Sequence, residues 1–114
     1  MELLATLAQI IIAVSIVIVW VFRFDNIIKE FEQYGLPPLV RNMVGASKIA
    51  ISTLLVAGIW YDDLVAVPAI LMALLMVAAQ IAHVSVRNPW HKYLPSLALL
   101  VLSLFVAAVH LGYL

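Results

Sequence analysis

The sequence predicts an all-α integral membrane protein, a four-helix bundle with an interfacial helical extension after its first helix. Three observations carry this. Hydrophobic residues make up 67% of the chain, they fall into four stretches of membrane-crossing length, and nearly all charged side chains gather in the connections. A soluble domain of 114 residues could not hide that much apolar surface, because the ordinary apolar share is about 45–50% and much of a small domain must face water. Lipid removes the conflict. The chain has room for one domain, covering residues 1–114.

The stretches run over residues 3–22, 40–59, 64–84 and 93–113. Each has about 20 residues, which at a rise of about 1.5 Å spans a hydrocarbon core of roughly 30 Å. Backbone groups in lipid must satisfy one another, which leaves helices or a closed barrel. A barrel strand alternates apolar with polar residues. Runs such as Ile10-Ile11-Ile12 and Leu99-Leu100-Val101-Leu102 do not alternate, so the stretches are helices 1 to 4.

After helix 1, Phe24, Ile27, Ile28, Phe31 and Tyr34 recur at helical spacing, and Asp25 precedes Lys29 by four residues. The helix therefore extends to residue 34 as an amphipathic segment at the interface. Gly35 fits a C-cap, and Pro37-Pro38 stops the helix. Between helices 2 and 3, Trp60-Tyr61-Asp62-Asp63 reads as a tight turn whose aspartates cap helix 3, with Pro68 at or near its start. Asn88-Pro89 marks the third turn, and Pro95 suits the first turn of helix 4. The amino terminus has neither a basic n-region nor a small-residue cleavage site, so helix 1 is expected to stay in the mature protein.

Arg23, Lys29 and Arg41 flank loop 1, Arg87 and Lys92 lie in loop 3, and loop 2 and both termini have no Lys or Arg. This bias predicts loops 1 and 3 on the cytoplasmic side of the plasma (inner) membrane and both termini outside. Net charge is zero, which gives no reason to expect nucleic acid as a partner. There are no cysteines, so the chain alone performs no thiol chemistry.

Lys48 is the exception to the charge pattern. It lies about 12 Å inside helix 2, where an unpaired lysine costs about 2.5–3.5 kcal/mol on insertion scales. Arg41, Gly45, Lys48 and Ser52 share a face. Either Lys48 snorkels toward the interface, or it serves an anionic or polar ligand group. Its candidate counter-charges are Asp25 and Glu30. Gln80, His83 and Arg87 share a face of helix 3. With Lys48, Ser52, Asp25 and Asn26 they form the candidate lining of one inner-leaflet cavity, since polar groups in membrane helices turn toward the bundle. A histidine such as His83 titrates near neutral pH and suits ligand binding or proton relay, or simply bonds water or a headgroup. Ser96, Ser103 and His110 repeat every seven residues along helix 4 and read as packing. So do the pairs Ala46/Ala50, Ala69/Ala73 and Ala78/Ala82. No Ser-His-acid arrangement, phosphate loop or paired intramembrane carboxylates mark an enzyme.

The stretch Lys29-Glu30-Phe31-Glu32-Gln33-Tyr34-Gly35-Leu36-Pro37-Pro38, followed by Val44-Gly45-Ala46-Ser47-Lys48, resembles the DoxX-like family of small four-helix membrane proteins. The family tends to have a Tyr-Gly-Leu-Pro-type turn after helix 1, a Gly early in helix 2, a His closing helix 3 and a basic linker with Pro before helix 4. Here those are His83 and the segment 87–95. Many members have a glutamate in place of Lys48. The resemblance implies an accessory role beside a membrane redox complex, with a quinone as the expected cofactor, or assistance to the assembly of other membrane proteins. The reading taken forward is an accessory subunit, or a binder of a quinone-like or lipid-like molecule. Its alternative is a small proton-coupled multidrug-type transporter, against which helix 1 offers only Gln9, Ser15 and the terminal Glu2. Expected partners are the lipid bilayer, another membrane protein and a second copy of the chain.

Overall fold

The computed structural model describes Glu2–Leu114, and among these residues all regular structure is helical. Helix α1 (Glu2–Val17) passes into a π-helical turn over Ile18–Phe22, and the chain breaks at Arg23. Then follow α2 (Phe24–Tyr34), α3 (Pro38–Ala57), α4 (Ala66–Ser85) and α5 (Leu94–His110). Four segments, Glu2–Phe22, Pro38–Ala57, Asp62–Ser85 and Trp90–His110, are long and apolar enough to cross a membrane. The molecule measures 39 Å along its longest axis, which exceeds the roughly 30 Å hydrocarbon core. Its outward faces are apolar: Leu3, Leu74 and Val101 are 72%, 60% and 58% exposed. Water would not tolerate so continuous an apolar surface on a monomer, whereas acyl chains would.

The four spanning segments pack in a ring. α1 and α4 each contact both α3 and α5, so α1 faces α4 across the centre. Ile12, Leu55, Met72, Met76 and Val106 fill the interior and are almost fully buried. Near the end formed by the termini and loop 2, Gln9 Nε2 donates to the Leu55 carbonyl at 2.7 Å. That bond ties α1 to α3 and satisfies a buried amide donor that would otherwise be expensive in lipid. Ala69 and Ala73 are buried in the packing, as their spacing predicts. Ala46 and Ala50 instead face outward, and Ala78 and Ala82 line a cavity. In both cases the small side chain does not serve helix contact.

The interfacial extension is a helix of its own. The Arg23 N–H bonds the Ile18 carbonyl at 3.0 Å, five residues back. This wide turn and the non-helical Arg23 (φ −117°, ψ 33°) let α2 turn away from the α1 axis. α2 ends as expected at Gly35, whose φ of +75° suits a residue without Cβ. Gly35 N–H bonds Glu32 O and Leu36 N–H bonds Phe31 O, both at 3.1 Å, which closes the last turn. The aspartate caps expected on helix 3 are absent. Asp62 and Asp63 lie in a short 3-10 turn, Asp62–Leu64, and α4 begins only at Ala66 with no side-chain cap. Pro68 then falls in the first turn of α4, where its missing N–H has no intrahelical partner to lose. A second 3-10 turn, Trp90–Lys92, leads into α5.

Candidate functional site

Loops 1 and 3 lie at the same end of the bundle, and there the ring of helices holds a cavity of about 450 Å³. Its depth follows from the residues that line it. On α1 and the π-helical turn the wall runs from Ser15 to Arg23, and on α4 from Leu75 to His83. Each covers nine residues, eight steps or about 12 Å at an α-helical rise. Ile16, Leu75, Met76 and Leu99 make an apolar floor. Asn26, Ile27, Glu30, Phe31 and Tyr34 of α2 close the upper part. The amphipathic helix thus turns its apolar side and three of its polar groups inward, leaving Asp25, Lys29 and Glu32 exposed.

Lys48 stands in the wall at the middle of α3, ten residues or about 15 Å from Pro38. It is only 8% exposed, so its ammonium does not reach the interface by snorkelling. Nζ sits 5.1 Å from the centre of the Trp20 ring. A desolvated cation–π contact contributes about 2 kcal/mol, against the roughly 2.5–3.5 kcal/mol that a mid-helix lysine costs. Among the described residues no carboxylate lies within 4.0 Å of it. Of the two candidate counter-charges, Glu30 lines the cavity and its field acts on Lys48, while Asp25 is exposed to the outside. Glu30 accepts from Asn26 Nδ2 at 3.1 Å.

Trp20 reaches Lys48 because Gly45 gives it room. A Cβ on Gly45 would lie 2.8 Å from two carbons of the indole ring. From Trp20 a chain of rings crosses the site: Trp20–Phe31 at 5.7 Å, Phe31–Tyr34 at 5.5 Å, Tyr34–His83 at 5.8 Å and His83–Tyr93 at 5.5 Å between centroids. These contacts join the end of the first span to α2, α4 and the start of α5.

His83 is buried and held by its neighbours. Asn88 Nδ2 donates to His83 Nδ1 at 2.7 Å, and the Tyr34 hydroxyl lies 3.3 Å from the same nitrogen. An amide nitrogen can only donate, so Nδ1 accepts, and the neutral imidazole keeps its proton on Nε2. Asn88 Oδ1 in turn accepts from Gln33 Nε2 at 3.2 Å. Burial, and then the nearby charge of Glu30, push the Tyr34 phenol up from 10.0 to about 12. It therefore remains a neutral donor at physiological pH. The reach of Asn88 back to His83 depends on Arg87, whose φ of +53° is left-handed. The Asn88 N–H bonds the His83 carbonyl at 3.1 Å, so the backbone and the side chain of Asn88 both close on the same residue.

Of the six candidate residues, Lys48, His83 and Asn26 line the cavity, while Asp25, Ser52 and Gln80 do not. Ser52 is buried one turn beyond Lys48, where its hydroxyl has no hydrogen-bond partner. Gln80 lies on the α5 side, with Nε2 donating to the Tyr93 carbonyl at 3.0 Å and to Ser96 Oγ at 2.8 Å. Arg87 has left the helical face altogether, because α4 ends at Ser85. On α5, Ser103 is buried without a hydroxyl partner, and His110 bonds the Val106 carbonyl of its own helix at 3.0 Å. The cavity also takes in Glu30, expected only as a counter-charge of Lys48, and Trp20 and Tyr34, with Asn88 and Gln33 behind them, four residues that periodicity alone does not single out as site residues.

The sequence profile of the DoxX-like family matches residues 3–106. The search of curated proteins returns no match, and neither does the search of solved structures.

Proposed function

The chain belongs to the DoxX-like family, and on that premise we propose that it is an accessory membrane protein that holds one quinone-like or lipid-like molecule in the cavity around Lys48 and His83. The observation that carries this reading is a buried lysine that makes no ion pair among the described residues and faces a space of about 450 Å³. That volume falls within the roughly 300–1,000 Å³ typical of small-molecule sites. The cavity also matches an amphiphile, with an apolar floor and polar groups nearer the interface. Lys48 offers three donors and His83 Nε2–H a fourth, which suits the oxygen atoms of a head group. A quinone in this position would accept hydrogen bonds from these donors and place its tail against Ile16 and Met76. Loops 1 and 3 take the cytoplasmic side of the inner membrane in this reading, on the strength of their five basic residues. The transporter alternative finds little support in the lining, where Glu30 is the sole carboxylate among three cations.

The test is mass spectrometry of what copurifies with the protein in an uncharged detergent. Wild type is expected to retain a stoichiometric quinone or lipid that Lys48→Ala and His83→Ala lose while staying folded. Identical bound molecules in all three proteins would refute the reading.

A further inference from the structure

The charges around the cavity narrow the ligand class. We infer that its preferred ligand is an anionic single-chain amphiphile, with a carboxylate or phosphate monoester head at Lys48 and an alkyl tail against the floor. This rests on the pocket reading above and makes it specific. Arg23, Lys48 and Lys92 line the cavity against one carboxylate, Glu30, which leaves two positive charges in excess within a chain whose net charge is zero. Arg23 and Lys92 are exposed at the mouth and Lys48 is buried within, so the mouth steers anions inward and the attraction is strongest at Lys48, where the surroundings are poorer in water than the bulk. A neutral quinone would leave the excess uncompensated. A carboxylate offsets one charge, and a phosphate monoester, with about −1.5 to −2 at neutral pH, nearly both.

The hydrogen-bonding capacity points the same way. Lys48 has donors only. The acceptor nitrogen of His83 is occupied by Asn88 and approached by Tyr34, so the ring has only its Nε2–H to offer. An oxyanion matches these donors better than any head group that must itself donate. A cavity of about 450 Å³, at the small end of the roughly 300–1,000 Å³ range of small-molecule sites, suits a head group with one chain.

The experiment uses the full chain in an uncharged maltoside detergent. Trp60 and Trp90, both exposed, are replaced by Phe, so that emission comes from Trp20 beside Lys48. Dodecanoate, dodecyl phosphate, dodecanol and a decyl benzoquinone are titrated, with native mass spectrometry as a second readout. Both acids are expected to bind saturably and at least tenfold more tightly than the alcohol and the quinone. Lys48→Met should weaken the acids at least tenfold and leave the alcohol unchanged, and Lys48→Arg should restore acid binding in part. Binding of dodecyl phosphate alone would assign the head to phosphate, and of dodecanoate alone to carboxylate. If the quinone or the alcohol binds as tightly as the acids, or if Lys48→Met leaves acid binding intact, the charge inference is overturned while the pocket survives. If none of the four binds, both fall.

Discussion

Replacing Lys48 by Met separates a structural lysine from one kept for a ligand. Met is close to Lys in length and carries no charge, so the substitution preserves the packing of the stem along Trp20 and removes the ammonium. The wild-type charge costs about 2.5–3.5 kcal/mol at mid-helix depth, and its contact with the indole at 5.1 Å returns about 2 kcal/mol. Glu30 adds a longer-range attraction, without an ion pair. The balance leaves Lys48→Met more stable by about 1 kcal/mol, as is common when apolar residues replace buried charges. SDS-induced unfolding in mixed micelles, followed by far-UV circular dichroism on ligand-stripped protein, measures the difference. A loss of stability of 1 kcal/mol or more would show that Lys48 braces the bundle, and the case for a binding lysine would lose its energetic ground.

Four other outcomes follow from the same geometry. Gly45→Ala drives a methyl group into the Trp20 ring and should destabilise by about 1–3 kcal/mol, read in the same unfolding assay together with a shift in Trp emission. Asn88→Ala removes the donor to His83 and the acceptor for Gln33, at about 0.5–1.5 kcal/mol per bond, and should speed hydrogen exchange across α2 more than across α5. Tyr34 titrates near 12 in the fold and near 10.0 when unfolded. Stability is therefore unaffected below pH 10 and falls as pH rises from 10 to 12, a loss that Tyr34→Phe should lessen in alkaline unfolding curves. Arg87→Gly relieves a left-handed residue bearing a Cβ and should raise stability by up to about 1 kcal/mol; a decrease would mean that the side chain itself is needed.

The spans were legible in the sequence because lipid demands long apolar runs, and α2 because its apolar residues keep helical spacing outside them. Lys48 stood out for a related reason: a charge at that depth is expensive enough to require an explanation. The break at Arg23 was hidden, since Ile18-Val19-Trp20-Val21-Phe22 contains neither Pro nor Gly and a π-helical turn has no compositional mark here. Periodicity also misplaced two residues. Gln80 shares a helical face with His83, but its longer side chain crosses to Tyr93 and Ser96, and Ser52 lies one turn below the polar part of the cavity. Asn88 read only as a turn residue ahead of Pro89. Its bond to His83 depends on the left-handed Arg87, which local sequence did not reveal.

The π-helical turn at Ile18–Phe22 makes the cavity sensitive to chain length in a way that substitutions do not expose. Such a turn accommodates one residue more than an α-turn does. Were the same residues wound as regular α-helix, everything beyond them would be rotated about 100° around the axis of the first span. Tyr34 and Glu30 would then swing off the bundle, although no contact inside it had been touched. The surplus residue fixes the azimuth of the cover over Lys48: deleting Val21 should let regular helix form with the cover still in place, whereas inserting a residue between Ile18 and Arg23 should abolish ligand retention while leaving membrane insertion unchanged.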